Sequence, residues 1–149
     1  MTDANFLASS YRLTALLFWD CAKEVNKVLE KDTDGRPIRL SAIPFYFLVS
    51  HATELLLKAA LLNRGFSNQK LKSFDYRHNL DKLLEELHKM QIGLTKDSTD
   101  LIISLNEQHQ THSLRYTVLV ANGKSIFWPP SHFVFAMLNE LSELSAISI

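Results

Sequence analysis

A single cysteine, Cys21, excludes an intramolecular disulfide and any metal site built on several thiolates. Glycine and proline are scarce, four of each in 149 residues, which excludes collagen-like and Pro/Gly-rich low-complexity chains. Neither sign of charge dominates: sixteen Lys and Arg face sixteen Asp and Glu. That balance argues against nucleic-acid binding by bulk electrostatics alone and leaves little repulsion between copies. The chain has no glycine-rich phosphate loop and no Gly-x-Ser-x-Gly elbow. Residues 1–10 contain neither a basic region nor a cleavable apolar run, so a cytoplasmic location is expected.

What is present is a 46% hydrophobic composition ordered at helical spacing over the length of one domain. Tyr11, Phe18, Ala22, Val25 and Leu29 form one stripe of a helix expected over 4–31, and Cys21 reads as a small core residue beside it. Asp32-Thr33-Asp34-Gly35 and Pro37 stop that helix. A second helix is expected over 41–64, with Ser41 as N-cap and Gly65 as C-terminal cap. It is apolar almost all round and long enough to resemble a membrane span. Glu54 and Lys58 lie inside it, each costing about 2.5–3.5 kcal/mol at a bilayer centre, so a core helix and no membrane contact are expected.

A polar connection over 65–77 leads to an amphipathic helix at 78–91, carrying Leu80, Leu83, Leu84, Leu87 and Met90. A fourth helix, capped by Asp97 or Ser98, runs to about 112. The β-branched and aromatic runs Tyr116–Val120 and Ile126–Trp128 flank Asn122-Gly123, which predicts a β-hairpin. A last helix spans 131–146. The expected fold is mainly α: a single domain, a four- to five-helix up-and-down bundle with a small β-hairpin before the last helix.

Several polar groups are candidates for chemistry. His51, Glu54 and Lys58 share one helical face, and Glu54 precedes Lys58 in the order that favours an ion pair. Arg77-His78-Asn79 opens a helix, where free N–H groups favour anions and His78 can serve near neutral pH. A local reading competes: Asn79 or Asp75 caps the helix. Lys70, Lys72 and Arg77, with Arg64 and interleaved aromatics, form a basic loop suited to single-stranded nucleic acid, or simply a solvated loop. His109 and His112 are three apart, but two histidines lack the third ligand of a catalytic zinc site, so neither a metal nor a cofactor is expected.

Glu54-Leu55-Leu56-Leu57-Lys58-Ala59, then His78-Asn79-Leu80-Asp81-Lys82-Leu83-Leu84, then Leu114-Arg115-Tyr116, a proline and a final helix occur in an order that resembles the HEPN-like superfamily over about residues 40–146. The resemblance implies a helical bundle, often dimeric, that binds a nucleotide or RNA and is often paired with a nucleotidyltransferase-like partner protein in toxin or defence systems. Its ribonucleases carry an Arg followed by four to six residues and a His. No arginine here meets that spacing; with six intervening residues Arg115 reaches Asn122, which is no general base. The expectation is therefore a non-catalytic binding module, with Glu54, Lys58, His78, Arg115 and Tyr116 as its ligand site. A divergent endoribonuclease using His78, His109 or His112 is the alternative, and a purely structural or interaction protein the third reading. Surplus apolar residues on the first helix (Leu13, Leu16, Leu17, Trp19) and the last (Phe133, Val134, Phe135, Leu138) predict a homodimer.

Overall fold

The computed structural model describes residues 2–38, 42–111 and 129–146. Helix α1 (Asp3–Val28) starts where the Thr2 hydroxyl accepts the backbone N–H of Asn5 at 3.2 Å. Its inward stripe is Ala8, Ala15 and Ala22, all fully buried, with Tyr11, Phe18 and Val25 packed alongside. Small residues at this seam let α1 lie close along α2 (Ala42–Leu62), which is its main partner. Cys21 falls off that stripe and is exposed, contrary to the core position expected of it. After α1 the chain turns through Gly35 at φ +78°, with Asp32 accepting the backbone N–H groups of Asp34 and Arg36 at 2.9 Å each.

Helix α2 touches α1 and all three of the other long helices: α4 (Leu80–Lys89), α5 (Lys96–Gln110) and α6 (Ser131–Leu144). Leu56, Leu57 and Leu61 are fully enclosed, each worth about 1.5–3 kcal/mol of apolar burial. α2 is long and apolar enough to cross a membrane, yet 83% of its most apolar window is buried inside the bundle. It ends at Gly65, φ +84°, with the Phe66 N–H returning to the Leu61 carbonyl at 3.0 Å.

The connection expected to be irregular holds a one-turn helix, α3 (Asn68–Leu71), capped by Ser67 and anchored by buried Leu71. α5 is capped by Thr95, not Asp97 or Ser98; the Thr95 hydroxyl accepts the Ser98 N–H at 3.3 Å. The carbonyls at the end of α6 are met by side chains of α1 and the α2 terminus: Arg12 to Ser142 at 3.2 Å, Asn63 to Ser145 at 2.8 Å and Arg64 to Leu144 at 3.2 Å. Arg64 thus serves a helix end. The architecture is a mainly helical bundle with α2 at its centre. No strand forms among the described residues, where an isolated bridge joins Lys31 and Pro37. The predicted hairpin around Asn122-Gly123 lies outside the described residues.

Candidate functional site

A carboxylate two turns from the end of the most buried helix organises the polar interior. Glu54 has a side chain only 2% exposed. Its two oxygens are divided between partners. Oε1 accepts from Lys58 Nζ at 2.5 Å, the i to i+4 contact expected from the sequence. Oε2 meets His109 Nε2 at 2.5 Å and His78 Nδ1 at 3.1 Å. The two imidazoles stand 5.9 Å apart at 76°. One carboxylate therefore gathers groups from α2, from the turn before α4 and from α5.

Electrostatics favour a charged Glu54. Burial pushes its carboxyl up, but the His109 hydrogen bond and the Lys58 charge outweigh that and hold it well below the usual carboxylate range. The same charge reaches α1: Tyr11 is pushed up first by burial and then by Glu54. Exposure grades outward, from His109 at 9% through Lys58 at 11% to His78 at 27%. The cluster is thus approached from the His78 side.

The backbone holds His78 deliberately. Its φ is +59°, in the left-handed region that ordinary residues avoid, at a typical cost of about 1–2 kcal/mol. Immediately after it, Asn79 caps α4 through the Lys82 N–H at 3.2 Å, as the local reading required. The Leu80 N–H goes to Asn106 Oδ1 at 2.7 Å, one turn before His109 on α5. Two of the N–H groups that could have cradled an anion at this helix start are thereby engaged. What the turn supplies to the site is the His78 ring, aimed at Glu54.

Of the residues singled out in the sequence, Glu54, Lys58 and His78 meet. Arg115, Tyr116 and His112 lie outside the described residues. His51 shares the helix but its ring packs edge-on to Phe18 at 4.6 Å and parallel to Phe47 at 6.2 Å. Lys70, Lys72 and Arg77 are exposed; Lys70 lies 5.8 Å above the Phe66 ring. His88 is exposed. The residue missing from the expected site is His109. It was paired with His112 on spacing alone, because nothing in a linear pattern links it to Glu54, 55 positions earlier.

The molecule so described is a helical bundle built around a buried carboxylate–imidazole–lysine cluster. No protein-family model, curated protein or solved structure matches the chain.

Proposed function

We propose that the chain is a HEPN-like binding module that takes a phosphate-bearing ligand, a nucleotide or RNA, at the Glu54–Lys58–His78–His109 cluster. One observation carries this reading: two of the motif elements on which the resemblance rests, Glu54-x-x-x-Lys58 and His78-Asn79-Leu80, converge on one carboxylate although 24 residues separate Glu54 from His78. Lys58 and His78 are the partly exposed members, so nitrogen donors face the approach to the site. On this reading Arg115 and Tyr116 complete the site, and a β-hairpin joins α5 to α6. The exposed stripe Phe6, Leu13 and Leu17 on α1 supports the homodimer that belongs to it. So does exposed Phe133, whereas Val134 and Leu138 are buried and Phe135 packs 5.8 Å from Phe45. A cytoplasmic location and a nucleotidyltransferase-like partner are further parts of the same proposal.

Thermal shift against nucleotides and short RNAs tests it. The expected result is a raised melting temperature at millimolar ligand, retained by His88→Ala and lost in Lys58→Met. Blank screens with folded protein reject it.

A second reading, endoribonuclease, is favoured by a specific feature: two imidazoles on one carboxylate are a ready general acid and base. Incubation with total RNA decides. Cleavage by the wild type that disappears in both His109→Gln and Arg115→Ala would replace the non-catalytic reading.

A further inference from the structure

Glu54, His78 and His109 each offer a ligand atom within 4.8 Å of the others, and Glu54 Oε2 lies 3.1 Å from His78 Nδ1 and 2.5 Å from His109 Nε2. They come from three separate segments of the bundle: the middle of α2, the strained turn before α4, and the last turn of α5. Two imidazoles and one carboxylate are the donor set of open, three-ligand metal sites. We propose that these three atoms form a binding site for one divalent transition-metal ion of the zinc class. The site goes beyond the phosphate-binding reading and does not depend on it.

The geometry is close to what the ion needs. Zinc–nitrogen and zinc–oxygen bonds of about 2.0–2.2 Å place tetrahedral ligand atoms about 3.4 Å apart. The two carboxylate–imidazole separations are 2.5 and 3.1 Å. Opening the shorter one takes a shift of under about 1 Å, well within side-chain freedom. The carboxylate is already disposed for single-oxygen ligation, because Lys58 engages Oε1 and leaves Oε2 to the imidazoles. Such outer hydrogen bonds are the usual means of orienting a metal's carboxylate. The Lys58 charge lowers affinity for a cation, and an anionic group in the open coordination position offsets it. That position faces the His78 side, where the cluster reaches solvent.

The proton balance is simple. An imidazole nitrogen that donates its N–H to Oε2 must give up that proton before it can bond an ion. On metal binding that proton moves by way of solvent to the other ring nitrogen, and the vacated lone pair, Nδ1 of His78 or Nε2 of His109, bonds the ion. Ion and proton compete for the same lone pair on each ring. The ion keeps its oxidation state throughout.

The test uses untagged, chelator-stripped full-length protein in phosphate-free buffer without nucleotide or RNA. Zinc is titrated by calorimetry at micromolar concentration, and cobalt(II) is titrated in parallel for its visible d–d absorption. One equivalent of each should bind, with both signals abolished in His109→Gln and His78→Gln and kept in His88→Ala. Circular dichroism melts establish that each variant is folded; should His109→Gln fail, the more exposed His78→Gln decides alone. No heat and no cobalt bands in the wild type, or binding unchanged in a folded His78→Gln, overturns the site. Nucleotide binding that persists in excess chelator alongside a blank metal titration would leave the phosphate reading standing and this one rejected.

Discussion

Glu54 on α2 and Glu140 on α6 are both drawn out of water, and in both burial pushes the carboxyl up while donors more than reverse it. Their company differs. Among the described residues, Glu140 is met by neutral groups at the start of α5: the Thr95 N–H at 2.6 Å, the Thr95 hydroxyl at 2.8 Å and the Ser98 hydroxyl. That is a helix cap supplied from a neighbouring helix, and it fastens α6 to α5. Glu54 is met by an ammonium and two imidazoles, groups that titrate and can ligate. A carboxylate kept only for architecture is served well enough by hydroxyls and amides. Three such nitrogens gather on one buried carboxylate, one of them on a strained backbone, and the proposed ligand site rests on that difference.

The largest expected effect breaks the Glu54 side of that comparison. Glu54→Ala should destabilise by about 3–5 kcal/mol, since Lys58 and both imidazoles lose their shared partner. Glu140→Ala should cost only about 1–2 kcal/mol, the worth of a cap. Denaturant midpoints measure both. Replacing Glu54 by Leu together with Lys58 by Met should recover much of the loss while leaving ligand binding abolished. If that double variant still binds as the wild type does, the cluster serves folding alone.

An intermediate effect comes from acid. The Glu54 carboxyl titrates lower folded than unfolded, where the ordinary value is about 4.3. Its contribution is therefore complete above about pH 4.3 and is lost as pH falls towards the folded value. Glu140, Glu85 and Glu86 shift in the same direction. Stability of the wild type should decline with acidification below that point, and Glu54→Gln should flatten the decline more than Glu140→Gln. Equal flattening by the two variants would mean that their surroundings differ less than their partners suggest.

The smallest effect isolates the backbone at His78. Both His78→Ala and His78→Gly lose the bond to Glu54, but glycine accepts φ +59° without penalty. The glycine variant should be more stable by about 1 kcal/mol. Parity between the two would show that the turn relaxes once the ring is gone, and that no strain was held there.

Periodicity alone was enough to place the long helices. An apolar stripe at 3.6 spacing has one low-energy solution, and Gly65 marks the end of α2 because left-handed backbone favours it. The Glu54–Lys58 pair was legible for the same reason: four residues on a helix is a fixed distance. The exposed Cys21 was misread because three alanines, and not the larger residues beside them, set the seam between α1 and α2. The Thr95 cap was missed because Thr95, Asp97 and Ser98 are all competent caps, and the carboxylate of Glu140 chose among them. His109 was beyond any reading of local spacing. Its partner lies on another helix, and only the packing of α5 against α2 puts the two side chains within bonding distance. Sequence by itself determined which segments coil and which faces turn inward, since both follow from interactions a few residues apart. Tertiary structure decided which polar groups share the interior, since a buried charge takes its partners from whatever helices close around it.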